Sequence, residues 1–337
     1  MAAATIIHPR LAQQRLSQDP FHTPGEVVAW LGAVQAQDYL GAKWALGLRV
    51  QDATDDMIEQ AFTDGTILRT HVMRPTWHFV TPADIRWLLE LTAPRVNAVN
   101  AYMHRQLELD DALFGRSNAV IAKSLQGGQL RTRAELGAVL AEAGLVAEGP
   151  RLSYIMMPLL DERVPYARRL QRDEALAELT RRYYTGHGPA TIRDFAWWSG
   201  LTVADVKAGL DMVASDLTQS VIDGQTYYFS ASMPPGADAT EVAFLLPTYD
   251  EFLVGFSSFD KSRTGGQDIS QKVVFNSMIV IGGRIAGSWR RTFKKEAVII
   301  EIAPFAPLTA AEDAAIADAA QRYGDFVGMS MLCTIIK

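Results

Sequence analysis

Residues 172–230 carry the pattern that most constrains the fold of this chain. In RDEALAELTRRYYTG, leucine and tyrosine side chains recur along one stripe of a helix, and Gly188-Pro189 then interrupts it. Thr191 and Thr202 each precede a further short helical pattern as N-cap residues. Two β-rich runs follow, separated by Asp223-Gly224, a dipeptide favoured in tight hairpin turns. Three helices and a hairpin in this order predict a winged helix.

The helical part of this pattern occurs a second time upstream, in residues 117–146. The segments GGQLRTRAELGAVLAEAGL and GHGPATIRDFAWWSGL share a glycine break, a short extended step, a threonine cap and a helix that ends at glycine. The cap of the upstream copy is Thr132. Repetition of a supersecondary unit favours a tandem architecture over one large domain.

A looser third copy begins the chain. Its predicted elements are helices at about 9–18, 24–36 and 54–63 and strands from Ile67 to Met73 and from Thr76 to Val80. The two strands would form a wing with Arg74-Pro75 at its turn.

Strand-forming runs replace the helical pattern after about residue 235. Four of them, EVAFLLPTYDEFLVGF, VVFNSMIVI, GRIAGSWRRTF and AVIIEIAPF, precede one helical pattern at 308–323. Gly282-Gly283 is the expected hairpin turn between two of these strands. The sequence therefore predicts an α+β chain. It would have three tandem winged-helix units at 5–81, 82–165 and 166–232, and a small antiparallel β-barrel-like domain with one helix at 233–337.

Composition and missing motifs exclude several classes of protein. The 337 residues include one cysteine, Cys333, which excludes an internal disulfide and cysteine-based zinc clusters and fits a reducing cytoplasm. No run of about 20 apolar residues is present, so we expect no membrane contact. Phosphate-loop and dinucleotide motifs are absent, so we expect no cofactor. His71 and His78 could meet across the first wing, but no third ligand is near them in the sequence, so we expect no metal.

The net charge of −6 excludes a protein that is basic over its whole surface. Any bound nucleic acid must therefore occupy a local basic groove. The densest basic run is WRRTFKK, in which a strand would place Arg291 and Lys295 on one face and Arg290 and Lys294 on the other. One face is a candidate phosphate track, and an ordinary charged edge strand is the alternative.

A pair of glutamines in AWLGAVQAQDYLG is the most unusual local feature. In an extended segment, Gln35 and Gln37 would lie side by side, and Asp38 follows them directly. From the residues alone, a polar loop that closes the preceding helix is the alternative, and it remains open.

Longer segments around this motif resemble a known family. VQAQDYLGAKWALGLRV and ILRTHVMRPTWHFVTPADIRWLL are similar to the N-terminal signature of the AlkZ-like helix-turn-helix family, and LLPTYDEFLVGF, FNSMIVIGGRIAGSWRRTFKK and IEIAPFAPLTAAE resemble its C-terminal half. The family carries Gln-φ-Gln, or Gln-φ-Asp in a related branch, where φ is apolar. Trp77 departs from the family pattern, since a smaller apolar residue is common there. The resemblance implies a concave DNA channel and a monofunctional DNA-repair glycosylase that needs no partner subunit.

The resemblance also implies roles for particular residues. Gln35 and Gln37 would be catalytic, with amide oxygens that project freely into the channel and orient a water. Amides suffice if the substrate is a purine alkylated at N3 or N7 in double-stranded DNA, since such a base is cationic and leaves without protonation. Bulky adducts and interstrand cross-links remain possible substrates. Asp38 and Asp250 are candidate supporting carboxylates.

Basic and aromatic residues supply the candidate DNA contacts. The residues of the first wing could contact DNA, and the alternative is a solvated hairpin with Trp77 packed in the core. Arg131 and Arg133 open a helix, where main-chain amides also favour phosphate. The full set is Arg69, His71, Arg74, Trp77, His78, Arg131, Arg133, Arg290, Arg291, Lys294 and Lys295. The rival functions are a non-catalytic winged-helix regulator, which would usually bind as a dimer, and a scaffold that does not bind DNA.

Overall fold

A computed structural model describes residues 2–74, 76–156, 167–233, 242–257 and 276–336. The helices are α1 (Ala2–Gln13), α2 (Pro24–Leu31), α3 (Tyr39–Gly47), α4 (Asp55–Thr63), α5 (Ile85–Gln106), α6 (Asp111–Ser124), α7 (Arg133–Glu142), α8 (Gly149–Met156), α9 (Arg172–Gly186), α10 (Ile192–Ser199), α11 (Val203–Met212), α12 (Glu251–Val254) and α13 (Ala310–Val327). The strands are β1 (Val34–Gln35), β2 (Leu68–Val72), β3 (Thr76–Val80), β4 (Leu217–Ile222), β5 (Gln225–Ser230), β6 (Ala243–Leu246), β7 (Ser277–Ile281), β8 (Arg284–Phe293), β9 (Ala297–Pro304) and β10 (Ser330–Ile335).

The N-terminal unit contains the predicted wing, because β2 and β3 pair antiparallel. The helix predicted at 24–36 is too long: α2 ends at Leu31, since Gly32 takes the left-handed φ of 82° that glycine adopts readily, and β1 follows. The short β1 pairs with β3 and completes a three-stranded sheet in the order β1-β3-β2. The first helix occupies residues 2–13 instead of 9–18, and α3 was not predicted. The glutamine motif therefore begins in a strand.

The middle segment has helices as its only regular elements among the described residues 82–156. Thr132 and Glu135 form a capping box at the start of α7, as the sequence predicts, and leucine and isoleucine side chains of α6, α7 and α8 share a small core. Residues 82–156 contain no described strand, and residues 157–166 lie outside the described residues. The wing of the second winged helix is therefore not confirmed.

Residues 172–230 have the predicted order of elements. Thr191 and Thr202 form capping boxes at the starts of α10 and α11. Asp223 and Gly224 form the hairpin turn between β4 and β5, both with positive φ, at 48° and 76°. A bridge between Ala190 and Tyr228 adds a third extended segment to this wing.

The C-terminal sheet differs from the prediction in two respects. Its five strands lie in the order β10-β9-β8-β7-β6, and β10, which was not predicted, pairs parallel with β9. The parallel pair arises because α13 crosses over the sheet between these strands, whereas a tight turn would have reversed the chain. The strands from β6 to β9 are antiparallel as expected, but β6 and β10 form opposite edges, so barrel closure is not confirmed in the described chain.

Two shared cores hold these units together. In the first, Trp44 of α3 packs edge-on against Tyr323 of α13, and its indole donates to the carbonyl of Leu245 in β6. In the second, Trp198 of α10 lies in one core with Met73, at the turn of the first wing, and with Tyr183 of α9. The glutamine motif consequently lies where the first wing, the C-terminal sheet and residues 172–230, here called the third helical unit, converge.

Candidate functional site

Gln35 and Gln37 have opposite environments. Gln35 is buried, with 7% of its surface exposed, and its Oε1 accepts a hydrogen bond of 2.8 Å from Nη2 of Arg74. Gln37 is exposed, and its Oε1 accepts a hydrogen bond of 3.2 Å from the main-chain N–H of Trp77. Both amide oxygens therefore have partners, and the prediction that they are free is wrong. Each carbonyl oxygen keeps a second lone pair for another donor.

Glu251, which the sequence analysis did not select, lies directly against the motif. Its carboxylate is fully buried and accepts hydrogen bonds from the main-chain N–H of Gln35 (2.7 Å) and the indole N–H of Trp198 (2.8 Å). Nε2 of His187 lies 3.3 Å from the same carboxylate. Burial raises the pKa of Glu251, but the hydrogen bonds from His187 and from the Gln35 amide lower it below its usual value. Glu251 is therefore ionised beneath Gln35.

Asp250, predicted as a candidate supporting carboxylate, is paired inside the fold. Its side chain is fully buried and receives both Nη1 and Nη2 of Arg49, at 2.8 and 2.9 Å, and it also caps α12 through the N–H of Phe252. A bidentate, buried pair leaves the carboxylate committed to Arg49, two residues after α3, and to α12. Asp250 is thus a structural residue, and the neighbouring carboxylate lies at the motif.

Backbone strain marks two positions beside the site. Met73, directly before Arg74, has φ of 61°, and Tyr249, directly before Asp250, has φ of 68°. Left-handed backbone is unfavourable for residues with side chains of this size, and such positions concentrate at functional sites.

His78 is enclosed below the wing, although it was a predicted DNA contact. Successive residues of a strand face opposite sides of the sheet, and His78 takes the inner side, where none of its surface is exposed. Burial and the charge of Arg74 lower the pKa of His78 to about 4, so its ring is neutral. Its cross-strand partner is Thr70, while His71 is opposite Trp77, so the two histidines do not meet.

Trp77, Arg69 and His71 form an aromatic and cationic cluster on the outer face of the wing. The guanidinium of Arg69 lies 4.5 Å from the Trp77 ring and donates to the carbonyl of Ala36, and the His71 ring lies 3.8 Å from the same indole. All three side chains are half-buried, which matches neither a solvated hairpin nor a core tryptophan. Burial, followed by the charges of Arg69 and Arg133, lowers the pKa of His71 to about 4.

Three more of the predicted basic contacts lie outside this cluster. Arg133 is exposed and close enough for its charge to act on His71, and Arg131 is exposed beside Glu135. Arg74 contacts the exposed Trp197, with 5.5 Å from its guanidinium to the ring. Neither Arg69 nor Arg74 forms an ion pair with any carboxylate that the structure describes.

Strand β8 separates the two arginines of the basic run. Arg291 is half-buried, and its Nη2 pairs with Oδ2 of Asp38 at 3.1 Å. Arg290 is exposed on the opposite face, and Lys294 and Lys295, which follow the strand, are also exposed. Asp38 is therefore occupied by Arg291, which reduces the positive charge that Arg291 offers to DNA.

The described residues hold no group of three histidine, cysteine or acidic side chains placed to bind a metal. Among the same residues, no helix combines the length and apolar character needed to cross a bilayer.

These observations define an α+β protein with tandem helical units, in which a two-glutamine motif joins a buried carboxylate to an exposed cationic wing. The chain belongs to the AlkZ-like DNA glycosylase family: the family model described as "DNA glycosylase AlkZ-like" matches residues 28–326. It is therefore a member of a family of DNA-binding repair enzymes, as its N-terminal and C-terminal signatures predicted.

A curated sequence and a solved structure from Streptomyces sahachiroi are similar to this chain. The interstrand DNA cross-link repair glycosylase is 22% identical over 317 residues, which cover 83% of this chain and 85% of the relative. The solved structure of the DNA glycosylase AlkZ superimposes with a TM-score of 0.82 at 20% identity and covers 99% of each chain. At this identity the structural likeness shows a shared fold.

Proposed function

We propose that this protein is a monofunctional glycosylase that hydrolyses the N-glycosidic bond of N3- or N7-alkylated purines in double-stranded DNA. The observation that carries this proposal is the arrangement of the two glutamines. Gln35 is fixed from below by Arg74 and Glu251, while Gln37 is exposed beside the aromatic and cationic wing. A buried, fixed amide next to an accessible one suits the orientation of a single water molecule.

The polar groups at the motif fit a leaving group that is already activated. An alkylated purine carries a positive charge, so its departure needs no proton from the protein. Gln37 can accept a hydrogen bond from the attacking water through its second lone pair, and its NH₂ group can donate to the sugar or the phosphate. His78, the histidine next to the wing's Trp77, is neutral and buried, so it is a poor general acid for neutral lesions.

Hydrolysis without a covalent intermediate is supported by the state of Lys43. A lyase activity would need an unprotonated amine to attack the sugar. Lys43 of α3 is buried, and its Nζ donates to Asp55 at 2.7 Å and to Glu59 at 2.9 Å. Burial lowers its pKa, but the two carboxylates outweigh that effect and raise it, so the amine stays protonated.

The outer face of the wing is the proposed DNA contact. Arg69 and Arg133 can bind phosphates, and the half-exposed indole of Trp77 offers a flat surface to a base or a bulky adduct. Because the Streptomyces relative is named for interstrand cross-link repair, cross-linked purines are part of the proposed substrate range.

The test is a base-release assay on three duplexes of one sequence, containing N7-methylguanine, an N7-linked interstrand cross-link or uracil. We expect release of N7-methylguanine from the first duplex and of the N7-linked guanine from the cross-linked duplex. The abasic strand should stay intact until alkali is added, and uracil should not be released. Strand cleavage without alkali would contradict the monofunctional part of the proposal. Binding without any base release would instead support a regulator.

A further inference from the structure

The Gln35 side of the site has an electrostatic problem if a cation must form there. Breaking a glycosidic bond develops positive charge on the sugar, and an alkylated purine is cationic before it leaves. Arg74 donates directly to the side chain of Gln35, so a full positive charge lies next to the same amide. In a site that excludes water, two such charges repel strongly.

Glu251 is the group that can remove this repulsion. It is fully buried, ionised and bonded to the main chain of Gln35. Arg74 bonds to the side chain of Gln35 and Glu251 to its main-chain N–H, so one residue separates the two charges. Burial lowers the pKa of Arg74, and the negative charge of Glu251 opposes that shift. No side chain that the structure describes forms a direct ion pair with Arg74, so Glu251 acts on it through space.

Several contacts hold the carboxylate in place. Trp198 and His187 donate to it, and His187 is stacked on Tyr183 with 4.8 Å between the ring centres. Gly255 allows this approach, because a Cβ there would lie 2.8 Å from Cδ2 of His187. A buried carboxylate with this many positioned donors cannot turn away from the site.

We infer that Glu251 is a positioning residue whose fixed negative charge offsets Arg74 and lets the Gln35 side of the site hold a cationic lesion and the positively charged sugar. This inference rests on the proposed function. It assigns to Glu251 a role that needs no contact with the substrate and no proton transfer.

The experiment compares two DNA duplexes that differ in one charge at the lesion position. One carries a 1-azaribose nucleotide, whose ring nitrogen is cationic and mimics the charged sugar. The other carries a neutral tetrahydrofuran abasic site. We expect the wild-type protein to bind the cationic duplex more tightly, and Glu251→Gln to reduce that preference at least tenfold, because one unit charge within roughly 12 Å has at least that effect at an effective dielectric near 20.

If Glu251 had only a structural role, Glu251→Gln would weaken binding to both duplexes equally and leave the ratio of the two affinities unchanged. Asp84→Asn is the matched control, since Asp84 is also a buried carboxylate that accepts an indole N–H, from Trp87, but lies outside the site. We expect the ratio to stay at the wild-type value in this control. Arg74→Met gives a second variant if Glu251→Gln does not fold, and its preference for the cationic duplex should increase.

The outcomes separate the two proposals. An active wild-type enzyme whose cation preference is unaltered by Glu251→Gln, or unaltered or reduced by Arg74→Met, would overturn the inference and leave the proposed function standing. A wild-type protein without base release would remove the proposed function, and the inference with it.

Discussion

The two faces of the first wing carry similar kinds of polar side chain, but those on one face are enclosed and those on the other are partly accessible. On the inner face, His78 and Glu251 are fully enclosed, and Glu251 has a described donor for each of its carboxylate oxygens. On the outer face, Arg69, His71 and Trp77 contact one another yet stay half-accessible. One three-stranded sheet thus separates a closed ionic network from an open cationic surface.

The difference shows where charge can serve a ligand. A charge in the interior must be paired within the protein, so it contributes to the stability and shape of the fold. A cation at the surface can exchange its water for a phosphate. Substitutions on the inner side should therefore alter the free energy of unfolding, and those on the outer side should alter activity or DNA binding at unchanged stability.

The largest effect is expected next to the inner face, at Asp250. Asp250→Asn leaves the guanidinium of Arg49 buried without its counter-ion, and loss of one partner of a buried pair costs about 3–5 kcal/mol. Urea denaturation should show this loss in the free energy of unfolding. Arg290→Gln, an exposed control, should unfold at the wild-type urea concentration. Equal midpoints for both variants would mean that the pair contributes little.

The next largest effect is the loss of folding stability at low pH, which involves His78 on the inner face. The pKa of His78 is about 4 in the folded chain and near its ordinary 6.5 when unfolded, so only the unfolded chain takes up a proton between these values. Stability should therefore fall as the pH drops from 6.5 to 4, by roughly 3 kcal/mol for this group. His78→Gln should reduce the pH dependence in that window and leave the part due to His71, whose pKa is also about 4. If wild-type and variant curves run parallel, His78 does not cause the loss.

Gln37 sharpens the comparison from the outer side. Gln37→Ala should slow release of N7-methylguanine about a hundredfold, the cost of one oriented polar group at a developing charge, roughly 3 kcal/mol. The free energy of unfolding and the affinity for undamaged DNA should stay the same. Gln35→Ala, on the buried side, should lose activity and stability together. Wild-type rates in Gln37→Ala would instead support the alternative that the motif is a polar loop that closes the preceding helix.

A smaller effect is expected at Arg69. Arg69→Gln removes one proposed phosphate contact, so DNA affinity should fall several-fold and the dependence of affinity on salt should weaken by about one unit of slope. Fluorescence anisotropy between low and moderate salt measures both quantities. An unchanged slope would exclude Arg69 from the phosphate track.

The smallest effect separates the two arginines of β8. Because Arg291 is paired with Asp38, Arg291→Gln should change DNA affinity less than Arg290→Gln, by no more than about twofold. The same titrations test this. A larger effect at Arg291 would mean that DNA displaces Asp38 from the pair.

Local patterns predicted much of this molecule, because capping and turn chemistry act over a few residues. The threonine caps of α7, α10 and α11 and the Asp223-Gly224 turn lie where the sequence placed them. The extra strand β1 was missed because it is two residues long and exists through pairing with β3. Strand β10 was missed because it pairs parallel with β9 only after a helical crossover, which no local turn signal indicates.

The sequence by itself determined the order of helices and the hairpin in residues 172–230, the wing of β2 and β3, and the family of the protein. The tertiary structure decided which carboxylate meets the motif and which arginine is neutralised. Glu251 is 216 residues from Gln35, and Arg291 is 253 residues from Asp38. No helical or strand period extends over such separations, so these pairs depend on how the wing, the third helical unit and the C-terminal sheet pack together. Asp250 and Glu251 are adjacent and both acidic, and packing alone directs one to Arg49 and the other to Gln35.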